Sequence, residues 1–385
     1  MYNILTLNKI SPIGTERFPK DKFIISNNVE NPDAILLRSY KMHDMELPAS
    51  LKAIGRAGAG VNNIPIDKCS EKGIVVFNTP GGNANAVKEL VLAALLISSR
   101  NIIDAVNWAK TLEGKTDVAK TVEAEKSHFV GHELYKKHIG VAGLGAIGVQ
   151  VANACSDLGM TVSGVDPFIS VESAWHMRPT VKKLENISDF TDCDFISIHM
   201  PLTSETKETF NMDFFKKLKP GVKIFNFSRA ELVNNSDIKQ AIAEGIVAQY
   251  ITDFPTEETV GQPGILAIPH LGASTEESED NCAKMASREV RNYLLYGNIV
   301  NSVNYPDCSL PYTGKARIAI AHNNKPKMLS KFLDAISNAG LNIDNMINKS
   351  KNELAYTLID IDGAAEQSII NSLSELDGVI RVRTI

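Results

Sequence analysis

Val141-Ala142-Gly143-Leu144-Gly145-Ala146-Ile147-Gly148 is the stretch from which the fold can be read. The apolar residues Ile139 to Ala142 lead into it as a buried strand, and Val149 to Asp157 leave it with the spacing of a helix. Glycine at 143, 145 and 148 permits a tight turn, a close approach of backbone to a pyrophosphate, and tight packing of helix on strand, while the helix N-terminus turns its N–H groups to the anion. Asp166 ends the next apolar strand, Val162 to Val165, where a carboxylate accepts from both hydroxyls of a ribose and repels a 2′-phosphate. Strand, glycines, helix, strand and acid in this order predict a dinucleotide site for NAD in preference to NADP.

The pattern continues outward. Phe195 to Ile198, Lys223 to Phe227, Val247 to Ile251 and Leu266 to Ile268 are apolar strands separated by amphipathic segments, so residues 139 to 270 read as right-handed βαβ units around a parallel sheet. Before them, Ile35 to Leu37 and Gly73 to Phe77 alternate with Gly-, Pro- and Asn-rich turns, a second α/β region. Lys88 to Val106 reads as one helix with no Gly or Pro to interrupt it, Trp108 to Lys137 is polar, and Glu276 to Tyr296 is a long helix. Asn304 to Thr313, with two prolines and Gly314 following, reads as a linker. The rest reads as strand 317–321, helix 327–339, strands 342–349 and 354–360, helix 364–375 and strand 379–384, a ferredoxin-like βαββαβ plait.

Composition narrows the class. A chain of 385 residues holds more than one hydrophobic core, and 44% hydrophobic with 22% charged residues is an ordinary globular balance. A net charge of −5 offers no field for nucleic acid or an anionic membrane, so neither is expected as partner. The five cysteines are odd in number and never in a C-x-x-C pair, which argues against a disulfide framework or a zinc site and for a reducing cytoplasm, with no metal expected. The N-terminus lacks a signal-peptide pattern, and Leu90 to Ile97, the longest apolar run, is too short to span a bilayer.

Three polar residues stand at or after strand ends, where an open α/β sheet presents its ligand crevice: Arg229, Glu257 and His270. Oxidation of a 2-hydroxy acid needs a cation for the carboxylate, a base for the hydroxyl proton and a group that orients the base, and these are suitable types. Each alone is more often a solvated or turn residue.

Four ordered blocks carry a resemblance: 141–148, His199-Met200-Pro201-Leu202-Thr203, Asn226-Phe227-Ser228-Arg229, and Pro269-His270-Leu271-Gly272-Ala273-Ser274. Over residues 1 to 304 the sequence resembles the D-isomer-specific 2-hydroxyacid dehydrogenase family. The resemblance implies two Rossmann-like doubly wound domains, a substrate domain from 1–98 with 276–304 and an NAD-binding domain from 99–275. It implies that Arg229 binds the substrate carboxylate and carbonyl, that His270 is the acid/base, and that Glu257 pairs with it. Glu258 stands beside Glu257 where the family commonly has proline, and Ala230 follows Arg229 where it has glycine, so either glutamate could face His270. The implied cofactor contacts are Gly143, Gly145, Ala146, Ile147, Gly148, Asp166, His199, Pro201, Thr206, Phe227, Ser228, Asp253 and Gly272, with Asp253 on the nicotinamide amide.

Leu37-Arg38-Ser39 and the turn Gly55-Arg56-Ala57-Gly58-Ala59-Gly60 are similar to the branch of the family whose substrate is 3-phosphoglycerate, oxidised to 3-phosphohydroxypyruvate. In that likeness Arg38 and Arg56 take the phosphate, as two guanidinium forks suit a dianion, and Ser39, Gly58, Asn83 and Lys126, the last toward a neighbouring subunit, complete the substrate contacts. Residues 315–385 resemble an ACT domain, which implies L-serine as effector at His322, Asn324 and Asn342, although Lys327 stands where that family has glycine. A homodimer or homotetramer is implied as well. The alternatives are a dehydrogenase for glycerate, lactate or 2-hydroxyglutarate, and a non-enzymatic NAD-sensing binding protein.

Overall fold

All 385 residues are described in a computed structural model. The chain divides into two compact units, Met1–Asn83 with Glu276–Ile385, and Ala84–Thr275. No helix is long and apolar enough to cross a membrane.

The first unit opens with five parallel strands, β1 (Tyr2–Leu7), β2 (Phe23–Ser26), β3 (Ala34–Leu37), β4 (Ala53–Arg56) and β5 (Val75–Phe77), in the order β2-β1-β3-β4-β5. Every residue of β3 and β5 is buried, which is why both read as unbroken apolar runs. Leu37 pairs with Arg56, so Arg38 and Arg56 emerge at the carboxyl ends of neighbouring strands.

The second unit begins with helix α1 (Ala84–Ser99), whose Val87, Val91 and Leu95 join the core of Val141, Val149 and Phe225. Those contacts place residues 84–98 with the unit that holds the glycine loop, in contrast to the boundary expected after residue 98. The expected single helix 88–106 also breaks: Asn101 adopts φ 51° and donates its side-chain amide to Val130 O at 3.1 Å, and a new helix starts at Ile102. Asparagine enters the left-handed region without the warning that Gly or Pro gives. Seven parallel strands follow, β6 (His138–Ala142), β7 (Thr161–Val165), β8 (Lys182–Lys183), β9 (Phe195–Ile198), β10 (Val222–Asn226), β11 (Val247–Thr252) and β12 (Ile265–Ala267), ordered β12-β11-β10-β9-β6-β7-β8. The order reverses between β6 and β9, and helix α2 (Ala146–Asp157) starts at that point. Ligands of such sheets bind outside the strand ends at this reversal.

The chain returns to the first unit with helix α3 (Glu276–Tyr296), which buries Cys282, Ala286, Val290 and Tyr293. Glu289 is buried on it too: one carboxyl oxygen accepts from Asn301 Nδ2 at 2.7 Å and the other has no partner. Burial pushes its pKa up to about 8, against the smaller opposing effects of Asn301 and Arg288.

The last segment runs β13 (Ala316–Asn323), α4 (Met328–Asn338), β14 (Ile343–Lys351), β15 (Leu354–Ile361), α5 (Gln367–Ser374), β16 (Val379–Thr384), with antiparallel order β14-β15-β13-β16. Its residues alternate between two cores: Ile318 and Ile320 pack with Phe332 and Leu373, while Ala319 and Ala321 pack with Tyr293, Tyr305 and Tyr356. Arg317, fully buried, forms a two-pronged ion pair with Asp360 and donates to the carbonyls of Tyr296, Leu310 and Pro311 at 2.9 Å. Residues 304–313 are therefore no free linker. Tyr305 and Cys308 are buried, Cys308 and Ile299 exchange backbone hydrogen bonds, and Tyr305 Oη donates to Ser70 O, because the plait's open sheet face lies against the same core.

Lys327 sits at φ 67°, ψ 8°, ahead of α4. A side chain in that conformation costs about 1–2 kcal/mol that glycine avoids. Lys327→Gly, after its larger unfolded-state entropy is offset, should stabilise the chain by about 1 kcal/mol in urea unfolding. Glu289 makes a second expectation. Its folded pKa lies above the unfolded value, so the chain loses stability as pH rises from about 4.5 toward 8. Glu289→Gln removes that dependence, and the gap between variant and wild type in urea midpoints should widen between pH 5 and pH 8; a constant gap would show that the carboxyl ionises freely in the fold.

Candidate functional site

At the reversal of the second sheet, Gly143 adopts φ 91° and lies against the backbone of His199, where a Cβ would come 2.6 Å from the carbonyl oxygen. Gly148 is tighter: a Cβ would sit 1.9 Å from Gly143 O. Gly145, the N-cap of α2, offers no side-chain cap, and no atom lies within 4 Å of where its Cβ would be. The first N–H groups of α2, at Ala146 and Ile147, thus have no side-chain cap competing with an anion beside Gly145. Asp166 accepts from Leu144 N and Phe168 N, both at 2.8 Å. Those bonds fix the carboxylate beside the glycine loop and leave a second lone pair on each oxygen.

His199 follows β9 and bonds Ser197 Oγ through Nε2 at 2.8 Å, while Nδ1 is buried without a partner. Burial drives its pKa down to about 3, so the ring is neutral at any physiological pH. The Thr206 hydroxyl donates to Pro201 O at 2.7 Å and accepts from Thr203 N at 2.8 Å, closing the loop after β9 on itself. Phe227 corrects an expectation: its ring is part of the core, where the apolar run that made it recognisable belongs, so only its backbone can meet a ligand. The turn after it is held by Asn226, which receives Ser228 N and donates to Arg229 O and to Tyr250 Oη. Nothing in the motif had singled out Asn226, whose full burial at the end of an apolar strand is seen only in the structure.

Asp253, 1% exposed, accepts Gly272 N–H on Oδ2 at 3.1 Å and leaves Oδ1 buried without a partner. Burial raises its pKa, opposed by the Gly272 N–H and by the positive charges of His270 and Arg229, which are close enough to act on it. His270 is exposed and rests against Phe254, ring centroids 4.8 Å apart. Arg229 is exposed and spends one N–H on Ser228 O. Glu257 does not pair with His270: it is exposed and makes no hydrogen bond or ion pair, while Glu258 lies 3.9 Å from Lys239. Both glutamates sit in a polar turn where solvent competes for them; the buried carboxylate near His270 is Asp253. Lys126 is likewise engaged, with Glu123 one turn back on its own helix, a pairing that i, i+3 spacing makes easy.

In the first unit, Asn63 joins the two expected phosphate ligands: its amide donates to Arg38 O and Tyr40 O, and its oxygen accepts from Arg56 Nε at 3.2 Å. Asn63 lies three residues beyond the glycine turn and carried no expected role. Gly58 makes room for Arg56, since a Cβ there would stand 2.1 Å from the guanidinium. Arg38 is ion-paired with Glu279 of α3, Ser39 is exposed with its N–H on Asn8 Oδ1, and Asn83 is half-buried. In the plait, His322 is closed off: it is buried, bonds Asn323 O, Thr357 Oγ1 and Asn348 Oδ1, and packs edge-on to Phe332, so both nitrogens serve the domain itself. Asn324 is exposed and bonds Asn352 O, and Asn342 is exposed.

The open cradle at Gly145 and the orphaned Oδ1 of Asp253 fit a dinucleotide that ends in a carboxamide, whose N–H would satisfy that oxygen. Asp253→Asn keeps one oxygen for Gly272 and puts a donor where the acceptor was. A lost hydrogen bond to a charged acceptor is worth about 1.5–3 kcal/mol, so NADH should bind roughly 10–100-fold more weakly in a fluorescence titration; unchanged binding would remove Asp253 from the site.

Residues 92–272 match the family described as D-isomer specific 2-hydroxyacid dehydrogenase, NAD binding domain. D-3-phosphoglycerate dehydrogenase of Synechocystis is 37% identical over 283 residues, which are 71% of this chain and 49% of that protein. The Haemophilus influenzae D-3-phosphoglycerate dehydrogenase is 29% identical over 89% of this chain and 83% of its own length. The chain spans about half the length of the curated relatives it matches at higher identity, 49% and 59% for the Synechocystis and Bacillus subtilis proteins. Among solved structures, the NAD+-bound 3-phosphoglycerate dehydrogenase of Entamoeba histolytica is similar with TM-score 0.62 and 26% identity, over 79% of this chain and 98% of that one. Residues 92–272 thus match the NAD-binding domain of the D-isomer-specific 2-hydroxyacid dehydrogenases, and the glycine cradle at the start of α2 lies within them.

Proposed function

We propose that this chain is an NAD-dependent D-3-phosphoglycerate dehydrogenase, oxidising 3-phospho-D-glycerate to 3-phosphohydroxypyruvate, the first step of serine biosynthesis. The observation that carries the reading is the Arg38–Asn63–Arg56 arrangement at neighbouring strand ends, in a chain whose relatives are named for that substrate. Asn63 ties the Arg38 backbone to the Arg56 guanidinium, and two guanidinium groups at neighbouring strand ends suit a phosphate dianion. Displacement of Glu279 from Arg38 by the phosphate is part of the reading, one anion replacing another.

Arg229 takes the carboxylate with the donors that Ser228 leaves free. His270 takes the C2 hydroxyl proton, and its exposure leaves it open to substrate. NAD, held by the cradle at Gly145 and by Asp166, would supply the hydride acceptor that oxidation at C2 requires. Asp253, buried beside His270 and Arg229, adds a fixed negative charge that favours the protonated ring as the proton arrives. Glu257 can join it only by leaving the conformation seen, as catalytic pairs often do on substrate binding. The C-terminal plait is assigned to the ACT class, and its exposed Asn324 and Asn342 are the positions left for an L-serine effector once His322 is closed off.

NADH oxidation with 3-phosphohydroxypyruvate should exceed that with hydroxypyruvate, and Arg56→Ala should lower kcat/KM for the phosphorylated acid by about 10–100-fold while barely moving the other. Equal losses on both acids would rule out a phosphate role. His270→Ala should reduce kcat by about 100-fold or more with NADH affinity retained.

A further inference from the structure

Helix α3 carries Lys284, Arg288 and Arg291 on one side, at i, i+4 and i+7. Like charges one turn apart cost a helix about 0.2–0.5 kcal/mol per pair, and here no acidic side chain forms an ion pair with them. Arg291 donates to the backbone carbonyl of Arg17 at 3.0 Å and so brings a further cation to the same place. Arg17, Lys284 and Arg288 line one pocket of about 340 Å³ together with Asn281, the loop glycine Gly82 and two neighbours, none of them a carboxylate. None of the three cations forms an ion pair, whereas Arg38, on the same unit, is paired with Glu279.

We propose that this pocket is a binding site for a small polyanion, a phosphate or phosphorylated metabolite, separate from the Arg38–Arg56 pair. The volume falls in the range of small-molecule sites, and three converging positive groups with an amide match a multiply charged oxyanion. A solvated basic face would be convex and would pair with acids on neighbouring turns. This one is concave and acid-free, and its rim includes the loop that leads to Asn83. Asn281, Lys284 and Arg288 share one face of α3, while Cys282, which senses the charges of Arg38 and Arg56, belongs to another. The two anion sites are therefore distinct on the helix, and occupancy here bears directly on the loop at Gly82.

The test is thermal unfolding of the full chain with inorganic phosphate titrated against chloride at constant ionic strength. Phosphate should raise Tm in the wild type, and Arg17→Gln and Arg288→Gln should each lose most of that rise, whereas Arg56→Gln should keep it. Lys284→Gln serves if either variant fails to fold. No rise in the wild type, a rise unchanged in Arg17→Gln and Arg288→Gln, or a rise lost only in Arg56→Gln would each overturn the proposal, the last by assigning the phosphate to the Arg38–Arg56 pair.

Discussion

Gly148 stands so close to Gly143 that a single added carbon would lie 1.9 Å from a carbonyl oxygen, and the second unit is organised around that contact. Because α2 can press this close to the end of β6, its N-terminus opens at the point where the strand order reverses. The loop is then tied on its far side by Asp166 through Leu144 N, and Gly143 abuts His199 at the end of the next strand over. Three strand ends are drawn together by backbone contacts and one carboxylate. Side chains are left to specify what binds there, which is why so many chemistries can share this sheet.

In the first unit the comparable constraint is electrostatic. All five N–H donors of Arg317 find acceptors, two on Asp360 and three on carbonyls of the end of α3 and the segment after it. A buried guanidinium is costly unless fully paired, so the plait can dock only in the register that supplies those carbonyls. Arg383 over the Tyr293 ring, 4.4 Å from its centroid, adds a second cation that only this docking accommodates. The consequence is that the central strands β13 and β15 are buried on both faces, with α3 serving the parallel sheet, the Arg38 ion pair and the plait at once.

The glycine loop, the strands around it and the βαββαβ order were legible in the sequence because each depends on residues close together in the chain. What escaped depends on distant partners. Asn101 breaks a helix by turning left-handed against Val130 O; its neighbours in sequence carry no sign of it. Residues 304–313 have the composition of a linker, yet Tyr305 and Cys308 are core residues, since a proline-rich segment is loop-like only until something covers it. Among candidate site residues, Arg229 and His270 were singled out by type and position, and Asn63, Asn226 and Phe254 were not, because what they do is hold other residues. Glu257 shows the reverse: a familiar spacing proposes a pair that the isolated chain does not form.

Two of the polar groups left unsatisfied in the second unit are themselves informative. His199 Nδ1 follows β9 and Asp253 Oδ1 follows β11, both beyond the carboxyl ends of strands on one side of the reversal. A buried donor or acceptor without a partner costs about 1–3 kcal/mol, and ordinary folding pressure removes such groups. His199 and Asp253 each keep one polar atom bonded within the fold and hold the other without a partner, and a ligand that supplies the missing partners would account for both. Both atoms lie within the residues that match an NAD-binding domain, where a bound cofactor would return the energy withheld from the fold as affinity and orientation.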